Sequence, residues 1–129
     1  MNDNTIQITP FMHVADLDAA LTFFTEVLDF RCLYRVGGYA YVDREGAGLR
    51  ILEHDDPSEL GTPHCGFAYY IDVRDLDVVV QQLGPRLAAL PPGDVHGPVD
   101  QEYNQRELLI RAPDGNLVVL GQAIAGPRD

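Results

Sequence analysis

Val14-Ala-Asp-Leu-Asp18 and Val73-Arg-Asp-Leu-Asp77 are nearly the same phrase written twice, with Asp16 and Asp75 lying 59 residues apart. Each phrase follows an apolar run of strand length and opens an amphipathic pattern. Its first aspartate is suited to cap a helix, because a carboxylate can accept the unpaired amides of the first turn. After Asp16, the residues Leu17, Ala20, Leu21, Phe24, Val27 and Leu28 recur at three- and four-residue steps. That spacing predicts a helix running to about Asp29. After Asp75, the residues Leu76, Val79, Val80 and Leu83 do the same, until Gly84-Pro85, which is expected to end or kink the helix. Repetition at almost half the chain length implies two copies of one supersecondary unit.

Around each helix the rest of the unit reads as strands. Residues 6–13 form a loose strand containing Pro10, a residue confined to edges and bulges. Three short strands follow the first helix: Arg31–Val36 with Cys32 and Tyr34 on one face, Tyr39–Asp43 with Tyr39 and Tyr41 on one face, and Leu49–Glu53. Gly37-Gly38 and Glu45-Gly46 turn the chain between them. Residues 55–63 are rich in turn formers and separate the units. The second unit begins with a strand over His64–Val73, then its helix, then a loose segment over residues 94–103 expected to hold a short strand. Asn104–Arg111 and Leu117–Leu120 complete it, joined by a turn at Pro113-Asp-Gly-Asn116. The prediction is an α+β chain of two βαβββ modules, residues 6–55 and 64–121 of a single domain, forming a curved mixed sheet around a cleft. Such a cleft is the default ligand site.

Composition narrows the function. The chain of 129 residues carries a formal net charge of −11. That disfavours nucleic acid and would attract a cationic small molecule. No apolar run reaches the ~18 residues of a membrane span, and the polar start Met1-Asn-Asp-Asn lacks the basic residues of a signal peptide. A cytoplasmic protein is expected. Cys32 and Cys65 fall in predicted strands and read as buried free thiols.

These residues resemble the vicinal oxygen chelate superfamily, which includes glyoxalase I, extradiol dioxygenases and the bleomycin-resistance proteins. The resemblance is carried by Val14-Ala-Asp-Leu-Asp-Ala-Ala-Leu-Thr-Phe-Phe24, Leu28-Asp-Phe30, Val73–Asp77, and Arg106-Glu107 leading to Ala112-Pro-Asp-Gly-Asn116. It implies a homodimer with exchanged modules and a drug-binding groove between the subunits. Enzymes of the superfamily hold a divalent metal with one side chain from the first strand and one from the last strand of each module. Counting on the family pattern, those positions are Thr9, Ile51, Ala68 and Val119; a two-residue shift would substitute Glu53 for Ile51. None of Ile51, Ala68 and Val119 offers a lone pair, and a neutral threonine hydroxyl is a poor ligand. The expectation is therefore a binding protein with no metal or other cofactor and no catalytic residues. It would sequester a flat aromatic natural product of antibiotic type, with some cationic character, and so confer resistance.

The rings available to such a guest are Tyr39, Tyr41, Tyr70 and Tyr103, with Asn104 at the position of the family's groove tryptophan. Aromatic faces attract both flat rings and cations. Core packing is the ordinary alternative, above all for Tyr69. Arg106 and Glu107 could pair or line the groove, but adjacent strand residues point oppositely, so at most one faces the ligand. Arg106 completes the candidate set. The rival reading is a glyoxalase, lyase or extradiol dioxygenase with a displaced metal held by His13, Glu53 or His64. A third is an accessory domain whose cleft is plugged by its own side chains.

Overall fold

Both capping aspartates close their helices. Asp16 Oδ1 accepts from Ala19 N at 3.2 Å, and Asp75 Oδ1 accepts from Val78 N at 3.3 Å. A second acceptor reaches each helix start from the last strand of the same module. Glu53 Oε2 takes the Leu17 amide at 2.9 Å, and Gln122 Oε1 takes the Leu76 amide at 2.7 Å. Two of the amides left orphaned at each helix start are thereby satisfied. The repeat is a repeat of hydrogen bonding as well as of residues.

The structure, a computed structural model, describes residues 4, 6–54, 56 and 67–124. The first module comprises β1 (Phe11–Val14), α1 (Leu17–Thr22) continued by a π-helical turn over Phe23–Val27, β2 (Arg31–Val36), β3 (Tyr39–Arg44) and β4 (Ala47–Glu53). The second comprises β5 (Ala68–Asp72), α2 (Leu76–Ala88), β6 (Val95–Asp100), β7 (Gln105–Arg111), a 3-10 turn over Pro113–Gly115 and β8 (Leu117–Ala123). Two four-stranded mixed sheets result, in the orders β1-β4-β3-β2 and β5-β8-β7-β6. In each, the first and last strands of the module pair in parallel and the remaining pairs are antiparallel.

Strand alternation divides each sheet into two faces. In the first module Met12, Val14, Ala40, Val42, Leu49 and Ile51 are buried with Leu17, Ala20, Leu21, Phe24 and Leu28 of the helix. In the second, Tyr69, Leu108, Ile110, Val118 and Leu120 are buried with Leu76, Val79, Leu83 and Leu87. No helix among the described residues packs on the opposite faces. Phe11, Tyr34 and Tyr70 stand on them with roughly half their surface exposed, at 46%, 57% and 43%.

Several local expectations change. The first strand pairs only from Phe11, because Pro10 has no amide to donate; Ile6 and Ile8 before it are 90% and 92% exposed. Asp29 adopts φ 61°, a conformation Asp tolerates better than most residues, and the helical stretch ends at Val27 rather than Asp29. Pro85 does not break α2. Gly84 before it lacks the Cβ that would clash with the proline ring, so the helix runs on to Ala88 and buries Leu87. Cys32 is exposed rather than buried, since β2 is an outer strand with all six residues open. A bulge between Cys32 and Tyr34 also puts them on opposite faces: Cys32 pairs with Val42, Tyr34 with Tyr41. Cys65 lies outside the described residues, as does the predicted start of β5.

The modules are stitched by polar contacts. The buried Asn116 side chain accepts from Phe67 N at 3.0 Å and donates to His13 O at 3.1 Å and Pro113 O at 2.9 Å. Asp114 Oδ2 accepts from Ala15 N at 2.8 Å, and the Tyr69 hydroxyl donates to Phe11 O at 2.7 Å. Arg86, carried by the stretch of α2 beyond Pro85, donates to Thr25 O and Glu26 O at the end of the first helix and pairs with Asp29 at 3.4 Å. Asn116→Ala removes three hydrogen bonds of ordinary worth, and is expected to lower stability by about 2–3 kcal/mol in urea unfolding. Asp114→Ala exposes one amide to water and is expected to cost less than about 1 kcal/mol.

Candidate functional site

The open faces of the two sheets are built from equivalent positions. Asp16 and Asp75 set the offset of the first strands, so Phe11 corresponds to Tyr70. Phe11 pairs with Arg50 and Tyr70 pairs with Val119, which makes Arg50 the counterpart of Val119. Across the next ladder, Tyr41 pairs with Arg50 and Leu109 with Val119; Tyr39 pairs with Leu52 and Glu107 with Gly121. The open face of the first module therefore presents Phe11, Tyr34, Tyr39, Tyr41 and Arg50. That of the second presents Tyr70 and Leu109, with Val119 and Glu107 on the same side but buried.

Each face lays a tyrosine flat over a glycine of the neighbouring strand. A Cβ at Gly48 would collide with the Tyr41 hydroxyl, and one at Gly121 with the Tyr70 hydroxyl. Tyr41 also accepts from Gln7 Nε2 at 3.1 Å. In the first module Arg50 donates from Nε to Thr9 Oγ1 at 2.8 Å and from Nη1 to the Tyr39 hydroxyl at 2.5 Å. Its guanidinium carbon lies 5.2 Å from the centre of the Tyr41 ring. Tyr34 and Tyr39 meet edge to face at 6.1 Å.

In the second module a buried carboxylate organises the face. Glu107 accepts from the Tyr103 hydroxyl at 2.8 Å and from Gln101 Nε2 at 3.2 Å. The Tyr70 hydroxyl donates to Gln105 Oε1 at 3.0 Å. Burial, then the neighbouring Glu107 carboxylate, pushes Tyr70 up to about 12. The hydrogen bond to Glu107 raises Tyr103, and burial raises Tyr69. These phenols are neutral donors over the physiological range.

Tyr39 and Tyr41 are thus together on one open face, and Tyr70 is on the other beside Glu107. Tyr103 and Asn104 lie in the turn leading into β7, where Asn104 adopts φ 65° and its carbonyl accepts from Ile124 N at 3.0 Å. Arg106 is placed differently from the expectation. It points to the helix side, donating to Asp100 Oδ1 at 2.8 Å and lying 3.7 Å from Asp77 of α2. The Arg106 hydrogen bond holds Asp100 below the usual carboxylate range. Leu108 and Ile110 are the buried pair of β7, so Glu107 is the residue that shares the open face. A cavity of about 790 Å³ lies between the modules, with Ile8, Phe11, His13, Phe67, Tyr69 and Tyr70 among its walls.

Two open sheet faces, one from each copy of a βαβββ module and both set with aromatic rings, are the structural signature of this chain. The family model for the glyoxalase/bleomycin resistance protein/dioxygenase superfamily matches residues 7–120, and the chain belongs to that superfamily. Among solved structures it is similar to a bleomycin resistance determinant encoded on the transposon Tn5, at 23% identity over 92% of this chain and 98% of that one, with a TM-score of 0.73. It is also similar to a bleomycin-binding protein from bleomycin-producing Streptomyces verticillus, solved with copper(II)-bleomycin, at 21% identity over 96% and 98% of the two chains and a TM-score of 0.72. An antibiotic-binding protein from Streptomyces sp. CB03234 matches at 23% identity over 92% and 97%, with a TM-score of 0.66. At these identities the likeness establishes the fold.

The family's metal positions can now be placed by register. Ile51 is fully buried on the helix-covered face, so the position equivalent to Val119 is Arg50. The set becomes Thr9, Arg50, Ala68 and Val119, and it does not fit a divalent cation. One member is itself a cation, two have no lone pair, and the Thr9 hydroxyl already accepts from Arg50. Of the displaced candidates, Glu53 is committed to the start of α1, His13 Nδ1 lies 2.7 Å from His54 Nε2, and His64 is outside the described residues. Among the described residues no group of three or more His, Cys, Asp or Glu is arranged to hold a metal ion. No helix among them is long and apolar enough to cross a membrane.

The raised phenols make an alkaline prediction. A folded-state pKa above the ordinary tyrosine value of 10.0 contributes stability that is present below pH 10 and lost as pH rises toward the Tyr70 value of about 12. Phenolate absorbance is expected to include a late component approaching pH 12. Glu107→Gln is expected to bring that component to lower pH.

Proposed function

We propose that this protein binds and sequesters a flat, aromatic natural product of antibiotic type, and so protects the cell that carries it. The observation that supports this most strongly is the set of rings on the two uncovered faces, Phe11, Tyr34, Tyr39, Tyr41 and Tyr70. Rings exposed on a rigid sheet stack planar guests at little entropic penalty. The side chains at Thr9, Arg50, Ala68 and Val119 favour binding without Lewis-acid chemistry. A formal charge of −11 favours a guest with a cationic edge.

The working unit in this reading is a homodimer. Each open face is half a groove, and a second copy would supply the other half, by exchange of modules or by side-by-side packing. The exposed Phe11, Leu33, Tyr34 and Val36 of the first sheet, with Phe67 and Tyr70 of the second module, support this, since large exposed apolar patches mark interaction sites. Tyr39, Tyr41, Tyr70, Tyr103 and Asn104 remain the ligand-facing candidates, joined by Arg50 and Glu107; Arg106 serves to anchor α2.

Thermal-shift screening against DNA-damaging and peptide antibiotics, bleomycin included, tests the reading. A true ligand at about a hundred times its Kd is expected to add about 2.7 kcal/mol of stability. Tyr39→Ala and Tyr70→Ala are expected to abolish most of that shift, and light scattering is expected to give the mass of a dimer. Calorimetric titration with zinc, nickel or manganese is expected to show no tight stoichiometric site. A tight site would favour the enzyme reading, and a panel with no stabilising compound would remove the antibiotic class.

A further inference from the structure

We propose that Arg50 is an anion anchor: the guest held on the open faces presents an oxyanion, a carboxylate in the simplest case, to this guanidinium. The inference deepens the reading given above and rests on it. Three observations carry it.

First, Arg50 is half-buried on the open face, and its contacts among the described residues are all with neutral groups. Its partners are the Thr9 hydroxyl, the Tyr39 hydroxyl and the face of the Tyr41 ring. Second, no carboxylate among the described residues pairs with it. Arg31, Arg35, Arg44, Arg86, Arg106 and Arg111 each have an acidic partner within 4 Å, and Arg74, the other described arginine without one, is exposed. In a chain with 20 acidic residues against 9 basic ones, a partly buried arginine facing only hydroxyls and a ring is an outlier. Partial burial of a charge without a counter-charge is unfavourable, and a ligand oxyanion would relieve it. Third, the fold does not demand the charge. The equivalent position of the other module is Val119, which pairs in the same register with Tyr70.

The geometry suits recognition. A guanidinium carries five N–H donors in a fixed fork, and the contacts within the described residues use Nε and one Nη1 hydrogen. The other three remain for a ligand. Thr9 and Tyr39 fix the fork before the ligand arrives, so little rotamer entropy is lost on binding. The negative charge of the whole chain does not prevent this. At about 0.15 M salt, charges beyond roughly 8 Å are largely screened, and the group nearest the guest dominates. Combined with the cationic edge proposed above, the guest is amphoteric, with its acidic group over the first module.

A matched pair of probes tests this: 2-naphthoate and its neutral counterpart 2-naphthamide, titrated into the isotope-labelled full chain and followed by amide chemical shifts. The wild-type protein is expected to bind naphthoate about tenfold more tightly than naphthamide, as a charge-assisted hydrogen bond warrants. Arg50→Gln is expected to bring the two affinities together by weakening naphthoate alone, and Arg50→Lys to restore part of the preference. If wild-type protein binds both probes equally, or if Arg50→Gln keeps the preference, the anchor is refuted while the aromatic site stands. If neither probe binds wild-type protein, the anchor falls together with the reading of the faces as an aromatic site. The wild-type comparison needs no variant, so a folding defect in either substitution leaves the test intact.

Discussion

A four-stranded sheet has two faces, and each module of this chain owns one helix to cover them. Everything distinctive in the structure follows from that shortage. The helix takes the face where small and branched apolar residues alternate, and the core closes around Met12, Ile51, Phe24, Leu83 and Ile110. The other face cannot be closed locally. Its residues are rings laid over glycines, a guanidinium held by hydroxyls, and a carboxylate held by a phenol and an amide.

Because the shortage occurs twice, the relation between the modules matters as much as either one. The Pro113–Asn116 turn governs that relation. It sits in the second module, yet Asp114 and Asn116 bond to backbone groups at Ala15 and His13 in the first. Arg86 binds the end of the first helix from the opposite direction, and it can do so only because α2 continues past Pro85. A turn motif that reads as a hairpin signal is therefore also the clasp between the two halves.

Much of the architecture was legible because it depends on short-range rules. Capping aspartates, helical stripes and turn residues act on neighbours within a few positions, and the order βαβββ twice over follows from them. The failures came where the outcome depends on what lies across the sheet. Cys32 was expected inside, but nothing covers an outer strand. Ile51 was assigned to the open face by aligning strands one residue out of step, and a one-residue slip exchanges the two faces of a strand. The parallel pairing of Phe11 with Arg50 corrects it, and no local pattern announces that pairing. Glu107 was within reach of sequence reasoning, since the apolar Leu108 and Ile110 already fixed which face it takes. Arg50 was not, because only the register reveals that it stands opposite Phe11 among hydroxyls rather than in solvent.

The tyrosines are natural reporters for the central claim, that the uncovered faces are the working surfaces. Tyr34, Tyr39, Tyr41 and Tyr70 lie on them, and Tyr34 and Tyr70 are among the exposed large side chains. Ring-labelled tyrosine spectra recorded during titration with 2-naphthoate test that claim directly. The account predicts that the four open-face rings move together and saturate at one ligand concentration. Saturable binding in which those four rings stay fixed would contradict it.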